Sequence, residues 1–459
     1  MTLAKFKRLA VLATATAIVA AACGGGASTA PSAGTSAAPS AAPSAATSAA
    51  PSAAAATCTG KTIKLGGLAT LEGPFAVPGQ DGFRGIEQAL NTYAKVDGKD
   101  GWWLGDCEIT LTKEGSDATP AVALEKAKKL IEQDDVDILI GPLSGDEGLA
   151  MKDYAKQVPD KTFVNGSSAA QDTTLRDPAP NFFRFSTDGA QWQAGLGDYA
   201  FKTKGYKNVA LVAEDYSFPY TQVGGFMYEF CAAGGRVVQK NWVPLGTKDY
   251  SSVVSNLPTS GIDAIYVALG GSDAINFFTQ YQAAGGKAKF IGGSITVDQS
   301  VLATVGAFAD SLVGTITASP TSDNADEPAW NEYVKAYKEQ FPDGLPFPGL
   351  FALSYYNETV GVLKGLQAVN GDLSDGQKAF MAALAKVEFD GPTGKISLDS
   401  NRQAIGPNYV SEIQKGADGK LAANVISKAE NINQTLNVEG GIDNPLFAEP
   451  VSRTFPDCP

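Results

Sequence analysis

The sequence predicts an α/β fold of two lobes, each built on a parallel sheet. Strand-like and helix-like segments alternate from residue 62 onward, which is typical of βαβ units. The alternation starts again at Asn208, which indicates a second unit of the same kind. About four hundred residues follow position 56, too many for one simple hydrophobic core. These observations favour two lobes over a single domain.

An export signal is predicted at residues 1–22. A short basic head containing Lys5 and Arg8 precedes a mostly apolar run that is too short to be a stable membrane span. Three alanines and then Cys23 end this segment, and they resemble the bacterial lipobox, in which the cysteine is lipidated. We therefore expect an extracytoplasmic protein that is anchored to the cell membrane by a lipid. An ordinary signal peptide with an incidental cysteine is the alternative.

The linker at residues 24–56 consists of Gly, Ala, Ser, Thr and Pro, with no charged or aromatic side chain. Such a segment has too little apolar surface to offset the entropy cost of ordering, so we expect it to be disordered. With the lipidated Cys23 it would tether the folded part, which is expected to begin at residue 57.

In the first lobe, apolar runs predict strands and apolar stripes predict helices. The helix expected to begin near Asp81 carries an apolar stripe with spacings of three, four and three residues: Phe83, Ile86, Leu90 and Tyr93. The other predicted elements are strands at 62–68, 107–113, 136–140 and 162–165, a loop at 70–80 and a helix at 121–133.

The second lobe repeats this pattern, and the chain is expected to cross between the lobes near Phe183, Thr317 and Gly391, through a hinge of three strands. Its predicted elements are strands at 208–212, 236–242, 264–268, 290–291, 395–399 and 409–413, and a helix at 221–233. Helices at 328–341, 350–370 and 377–386 are assigned to the first lobe. The resulting limits are 57–186 with 318–390 for the first lobe, and 187–317 with 391–459 for the second.

The composition excludes several classes of function. There are 36 Lys and Arg against 49 Asp and Glu, a net charge of −13, which makes nucleic acid and anionic lipid surfaces poor partners. The chain has no histidine, so catalytic triads with histidine and His-ligated metals are ruled out. We expect no cofactor and no metal.

Four cysteines remain besides Cys23, and an exported chain is expected to pair them. Cys58 and Cys107 each precede a predicted strand, and those strands should be neighbours, so we pair these two. Cys231 would then pair with Cys458 and fix the C-terminal tail to the second lobe. Four free buried thiols are the alternative.

Short motifs are spread in a fixed order along the chain: Glu72-Gly73-Pro74, Ile140 to Ser144, Phe183-Arg184 with Asp188, Glu214 to Phe218, Asp249 to Ser251, and Phe389 to Gly394. From residue 63 to about 426 they resemble the extracytoplasmic solute-binding proteins of ABC importers for branched-chain amino acids. The resemblance implies a type I periplasmic-binding-protein fold, in which two Rossmann-like lobes close on a ligand like a Venus flytrap. It also implies a monomer that performs no chemistry, with a small molecule and an ABC permease as partners.

Ligands bind at the carboxyl ends of strands in open parallel sheets. By resemblance, the ligand carboxylate falls on Ser144 or Gly145, Ser167 and Ala169, with Ser168 beside them. Asp188 falls on the acid that meets the ligand ammonium, and Phe218 on an aromatic that packs against the ligand. The alternatives are helix caps for the serines and Asp188, and a plain core position for Phe218.

The chain departs from the family pattern at three places. Pro78 stands where an aromatic is usual, Gly270 follows a strand where an aromatic is expected, and the second ammonium-binding acid falls near Ile295 unless Asp298 replaces it. Phe75, Trp192 and Tyr220 are candidates to compensate.

The sequence therefore predicts a lipid-anchored substrate-binding protein that delivers a branched-chain or related amino acid to a permease. Two alternatives are an extracellular sensor with the same fold and a receptor for a carboxylate that lacks an amine. A surface enzyme is disfavoured, because histidine and the nucleophile elbow of hydrolases are absent.

Overall fold

The computed structural model describes residues 61–304, 306 and 308–458. The predicted signal peptide, Cys23, the linker and Cys58 lie outside the described residues. None of the helices in those ranges is long and apolar enough to cross a membrane.

The first sheet has six strands in the order β2-β3-β1-β4-β5-β6. Their bounds are β1 (Thr62–Thr70), β2 (Trp102–Leu104), β3 (Cys107–Ser116), β4 (Ile138–Ile140), β5 (Thr162–Val164) and β6 (Phe182–Phe183). All neighbouring pairs are parallel except the hairpin of β2 and β3. The predicted strands of the first lobe therefore lie side by side, with β1 in register with β3 from Thr62 and Glu108 onward.

The second sheet has nine strands in the order β12-β13-β14-β11-β10-β9-β7-β8, with β15 paired to β14. Their bounds are β7 (Asn208–Glu214), β8 (Arg236–Val243), β9 (Ala264–Ala268), β10 (Lys289–Gly292), β11 (Ile316–Ser319), β12 (Phe389–Gly391), β13 (Gly394–Leu398), β14 (Ala404–Lys415) and β15 (Leu421–Ile432). The strands from β7 to β11 pair in parallel, and the later strands pair antiparallel.

Helices cover both sheets. Their bounds are α1 (Ala76–Tyr93), α2 (Pro120–Lys128), α3 (Gly145–Ala155), α4 (Leu196–Asp198), α5 (Ser217–Ala232), α6 (Ser251–Asn256), α7 (Gly271–Ala283), α8 (Gln299–Leu302), α9 (Ala309–Leu312), α10 (Pro328–Gln340), α11 (Leu350–Ala368) and α12 (Lys378–Leu384). Side chains of α1 to α3 and of α10 to α12 pack against the first sheet in its two hydrophobic cores. We call the first sheet with these helices the first half. The second sheet packs with α4 to α8, and we call this assembly the second half.

Helix α1 begins at Ala76, five residues before the predicted start at Asp81. The prediction placed Pro78 in a loop, whereas Pro78 lies in the first turn of the helix. Proline is tolerated there because the first backbone N–H groups of a helix have no partner within the helix. The predicted stripe is correct for Phe83, Ile86 and Leu90, but Tyr93 at its end is 46% exposed.

The structure contains the predicted disulfide between Cys231 and Cys458. Cys231 belongs to α5, and the bond ties the C-terminal tail to the second half across 227 residues of sequence. The other predicted pair includes Cys58 and is not covered by the described residues. Cys107 is buried at the start of β3.

Candidate functional site

A small cavity lies where side chains from the two halves meet. Nine residues line it: Phe75, Leu143, Ser144, Ser167, Trp192, Tyr216, Phe218, Ile295 and Phe351. Five of these are aromatic, and within the described part of the chain the lining contains no carboxylate. The empty volume is about 240 Å³, and all nine lining residues are buried. A solute would therefore enter only when the halves separate or the side chains move.

The parallel strands place these residues at one edge of each sheet. Leu143 follows β4 and Ser167 follows β5 in the first half, whereas Tyr216 follows β7 and Ile295 follows β10 in the second. These positions are the carboxyl ends of the strands, where open α/β sheets bind their ligands. Phe351 comes instead from the first turn of α11.

Ser144 is a helix cap. Its backbone N–H donates a hydrogen bond to Oε2 of Glu147 (2.8 Å), and the two residues form a capping box at the start of α3. Its hydroxyl donates to the carbonyl oxygen of Ala118 at 3.0 Å. Burial raises the pKa of Glu147 to about 7. Ser144 thus touches the cavity while its hydroxyl proton is already used within the first half.

Ser167 differs from Ser144 in having a buried hydroxyl with no hydrogen-bond partner among the described residues. A buried hydroxyl without a partner costs about 1 to 3 kcal/mol, so its place in a cavity wall points to a solute oxygen as the missing partner. Ser168 also has a buried hydroxyl without a partner, but its oxygen faces Gly148 on α3 and the residue is outside the lining.

Three other predicted positions border the cavity through their neighbours. Ala169 belongs to the same apolar cluster as Trp192 and Phe218. A Cβ on Gly145 would lie 2.8 Å from the backbone nitrogen of Phe218, so the start of α3 is pressed against α5. A Cβ on Gly270 would lie 2.6 Å from the Phe75 ring, so glycine lets that ring approach the second half.

Asp188 is placed differently from the prediction and does not line the cavity. Its Oδ1 accepts hydrogen bonds from the N–H groups of Ala190 (2.9 Å) and Gln191 (3.0 Å). Its Oδ2 accepts from Gln434 at 2.8 Å and lies 3.6 Å from the Arg184 guanidinium. Burial raises the pKa of Asp188, and the Arg184 charge opposes that rise. Asp188 is thus a cap and ion-pair partner in this structure, and its proposed ammonium contact has no geometric support.

Pro78 and Asp298 also lie outside the cavity lining, and Tyr220 joins them. The Tyr220 hydroxyl donates to Asp215, and its ring packs edge-on against Trp242 at 4.9 Å. Of the three candidates to compensate for the departures, only Phe75 and Trp192 reach the cavity. Leu143 and Tyr216 lie in loops after predicted strands that were expected to face the ligand, although neither residue was singled out. Phe351 lies outside those loops and was not predicted.

Glu214 is a buried carboxyl group at the end of β7, two residues before the lining residue Tyr216. One of its oxygens, Oε1, accepts a hydrogen bond from the Gly270 N–H at 2.9 Å, and Oε2 is buried without a partner at bonding distance. Burial raises the pKa of Glu214 well above its ordinary value, and the Asp273 charge adds to the rise, whereas the neighbouring Tyr216 hydroxyl opposes it. The surroundings therefore disfavour the charged form of this carboxyl group.

Comparisons with known proteins identify the family and the fold. The model of the family described as "Periplasmic binding protein" matches residues 62–420. The Leu/Ile/Val-binding protein homolog 6 of Brucella melitensis is 25% identical and covers 80% of this chain and 91% of its own.

Two solved structures share the fold. An ABC transporter substrate-binding protein from Sphaerobacter thermophilus is 28% identical, with a TM-score of 0.71 and coverage of 81% of this chain and 99% of that one. A solute-binding protein of an ABC transporter from Rhodopseudomonas palustris, solved with 3,4-dihydroxybenzoic acid, is 26% identical, with a TM-score of 0.72 and coverage of 81% and 98%. The chain therefore belongs to the periplasmic binding protein family and is a non-enzymatic solute-binding protein of the ABC-transporter type.

Proposed function

We propose that this protein captures a small carboxylate with an aromatic body between its two halves and delivers it to an ABC permease. The observation that carries the proposal is the free hydroxyl of Ser167 in a wall made mostly of aromatic rings. The hydroxyl would bind the anionic end of the solute, and the rings would bury its apolar body.

The anionic end is supported by the start of α3. This helix spans eleven residues, and its first residue, Gly145, follows the lining residue Ser144 and packs against Phe218. The N-terminus of a helix favours a negative charge because unpaired N–H groups and the helix dipole point toward it. A carboxylate placed there would also accept a hydrogen bond from the Ser167 hydroxyl.

The aromatic body is supported by the geometry of the rings. Trp192 and Phe218 meet edge to face with their centroids 5.6 Å apart, and Tyr216 lies 6.2 Å from Phe218. A solute ring could make edge-to-face or stacked contacts with these side chains, and such contacts stabilise binding beyond the burial of apolar surface. The relative from Rhodopseudomonas palustris that was solved with an aromatic acid supports the same class of solute.

A branched-chain or related amino acid is the second candidate. The name of the Brucella relative favours it. Glu214 also favours it, because this residue ends β7 close to the lining residue Tyr216 and one of its buried oxygens has no hydrogen-bond partner among the described residues. A ligand ammonium near Glu214 would favour ionisation of that carboxyl group. Glu214, rather than Asp188, is the acid that this second candidate requires.

Calorimetric titration separates the two candidates. We would titrate the protein with benzoate, 4-hydroxybenzoate, benzamide, phenylalanine and leucine. The proposal expects the benzoates to bind and benzamide, which lacks the charge, to bind at least tenfold more weakly. Binding of leucine without binding of the benzoates would establish the second candidate instead.

The membrane anchor and the permease belong to the same proposal. The small residues before Cys23 and the uncharged linker support lipid attachment. Cells that produce the protein in the presence of a labelled fatty acid should label it, and Cys23→Ser should abolish the label and release the protein from the membrane. A protein that stays unlabelled would instead have an ordinary signal peptide.

We also propose two lobes. The first consists of residues 57–186 and 318–390, and the second consists of residues 187–317 and 391–459. Each lobe would move as a unit about three crossing segments, and the solute would stabilise the closed form by touching both. A monomer is sufficient for this mechanism, because residues of one chain form the whole cavity.

A further inference from the structure

We propose that closure of the two halves is coupled to proton uptake at the N-terminus of α11, where Asp298 of the second half meets Asp81 of the first. This inference rests on the proposed closure of the halves, but not on the identity of the solute. Its consequence is that the protein closes more readily as the pH falls from about 8 to about 6.

Backbone N–H groups at the start of α11 donate hydrogen bonds to one carboxylate from each half. The Gly349 N–H donates to Oδ2 of Asp81 at 3.0 Å, and the Leu350 N–H donates to Oδ2 of Asp298 at 2.9 Å. Asp81 lies on α1, whose core is shared with α11. The Asp298 contact is therefore one of the bonds between the halves that opening would break.

Core membership assigns Asp298 to the second half. Its neighbours Val297 and Val301 are buried in the core of the second sheet, and Asp298 caps the short helix α8 by accepting from the Ser300 N–H at 2.9 Å. When the halves separate, Asp298 would move away with this core while Leu350 stays with the first.

The two carboxylates are close neighbours. A Cβ built on Gly349 would lie 2.9 Å from Oδ2 of Asp81 and 2.7 Å from Oδ2 of Asp298. Both side chains are fully or nearly fully buried, with Asp81 at 0% and Asp298 at 6% exposure. Two carboxyl groups that are buried next to each other repel when both are ionised, so one of them tends to stay protonated.

Other charged and titratable groups surround the pair. The Tyr337 hydroxyl donates to Oδ1 of Asp81, and the Arg84 guanidinium lies 3.8 Å from the same oxygen. Tyr333, on the same helix as Tyr337, also faces Asp81. On the other side, Asp323 faces Asp298, and Lys338 faces Asp323. Within the described ranges, Arg84 brings positive charge to Asp81 and Lys338 brings it to Asp323, and Arg84 is outside hydrogen-bond distance of Asp81.

The direction of the coupling follows from these surroundings. Burial raises the pKa of Asp81 to about 7, and the charge of Asp298 adds to this rise. The hydrogen bonds from Tyr337 and Gly349 and the positive charge of Arg84 act in the opposite direction and lower the pKa of Asp81. Burial also raises the pKa of Asp298. In an open form Asp298 would meet water and Asp81 would lose that neighbouring charge, so both pKa values would fall. The closed form therefore binds protons more tightly, and by linkage a lower pH favours it.

The Asp323 carboxylate offers a matched control. Burial raises its pKa to about 7 as well, but it binds the Ala423 N–H (2.7 Å) and the Gln299 amide (2.8 Å). Asp323 lies in the crossing segment just after β11, and its neighbours Ser322 (hydroxyl, 3.1 Å) and Asn324 (N–H, 3.1 Å) both donate to the Ala423 carbonyl oxygen of β15. We therefore expect Asp323 to stay with the second half, and with its partners, when the halves open. Asp323→Asn should keep the pH dependence of closure, whereas Asp298→Asn should remove it.

The test measures closure of the full chain in detergent with no compound added. Spin labels on genetically encoded side chains at the exposed positions 343 and 418 would report the distance across the groove that Pro342 and Asp418 line together. We expect the ratio of the short-distance to the long-distance population to rise at least tenfold between pH 8.5 and pH 5.5.

Asp298→Asn should make this ratio independent of pH, and Asp81→Asn, a second variant in the other half, should reduce the change. A ratio that is the same at both pH values in the unchanged protein, or a change that persists in Asp298→Asn, would overturn the inference. Because no solute is present, a failure to bind aromatic carboxylates would leave this test valid and would count against the proposed function alone.

Discussion

Ser144 and Ser167 follow neighbouring strands and reach the same cavity, yet the chain uses their hydroxyls differently. Ser144 caps α3 and its hydroxyl donates to Ala118, whereas the Ser167 hydroxyl has no partner in the part of the chain that the structure describes. The first hydroxyl stabilises the fold, and the second is available to a solute. Substitutions at these two residues of one cavity wall should therefore affect different properties, stability at Ser144 and binding at Ser167.

Replacing Ser167 with alanine should weaken binding of a carboxylate. A hydrogen bond to a charged group contributes about 1.5 to 3 kcal/mol, so we expect Kd to rise roughly tenfold to a hundredfold. Calorimetric titration with the tightest binder among the benzoates and amino acids tested above would measure it. Ser144→Ala is the control, with a loss of about 1 kcal/mol in the free energy of unfolding from the missing cap. An unchanged Kd in Ser167→Ala would remove Ser167 from the site.

Replacing Asp188 with alanine should destabilise the protein rather than alter its choice of solute. The change leaves Arg184 buried without its ion-pair partner, which costs about 3 to 5 kcal/mol. Urea denaturation would show the loss. If the free energy of unfolding stayed the same and only compounds with an amine bound more weakly, Asp188 would be the ammonium partner after all.

The site could be predicted from the sequence only in part. Ser167 and Phe218 follow strands at which ligands are expected, and both reach the cavity. The hydrogen-bond partners of Asp188 could not be predicted from the sequence. One of them, Gln434, lies 246 residues away and reaches Asp188 because the chain after β15 folds back against it. Phe351 lies in a helix that carries no motif, and only the packing of α11 puts it in the wall.

At the scale of elements, each half caps a helix of the other. Asp146 on α3 accepts from the Ser217 N–H at the start of α5 at 3.0 Å, and Asp298 accepts from the start of α11. Carboxylates at helix N-termini are favourable because of the helix dipole. These contacts fix how closely the halves approach and therefore the size of the cavity.

Replacing Gly145 with alanine should hinder closure. The added Cβ would lie 2.7 Å from the Ser217 hydroxyl oxygen and 2.8 Å from the Phe218 backbone nitrogen, so α3 and α5 could not meet as they do. We expect at least a tenfold loss of affinity, measured by calorimetry, with little change in the melting temperature without solute. Gly98→Ala would be a poor control because of its positive φ; Gly306→Ala, where a Cβ meets nothing within 4 Å, is a better one. Equal affinity of both variants would show that α3 and α5 need not touch.

The elements that the sequence predicted well are those with a single dominant signal. β9 is buried at every position and reads as a continuous apolar run, as buried parallel strands do. β15 was missed, because its residues mix exposed charged and small side chains and it gains its order by pairing with β14. Helix starts were displaced at α1 and α5, where proline lies in the first turn and the apolar stripe begins later.

For the whole molecule, the Cys231–Cys458 disulfide holds the tail against α5. Replacing both cysteines with serine should lower the free energy of unfolding by about 2 to 4 kcal/mol, because the unfolded chain would lose a constraint across a long loop. Denaturation of the variant and the unchanged protein under oxidising conditions would measure the difference. Coincident unfolding curves would show that the tail contributes nothing to the folded state.

The stability of the whole chain should fall as the pH rises from about 5 to about 9. Burial raises the pKa of Glu358 to about 8 and that of Asp323 to about 7, above the values of an unfolded chain. The folded form then binds protons more tightly, so stability is highest at the acidic end of this range and is lost as the pH passes these values. Urea denaturation at several pH values would test this. Glu358→Gln should flatten the curve, and a stability that rises toward pH 9 would contradict the account.

The most direct test of the central claim is a crystal structure of the protein grown with 4-hydroxybenzoate. The account predicts the compound between the two halves, with one carboxylate oxygen within hydrogen-bond distance of the Ser167 hydroxyl and the start of α3, and with its ring against Trp192 and Phe218. Density for the compound elsewhere, or an empty cavity beside a structure in which leucine places its ammonium on Asp188, would contradict it.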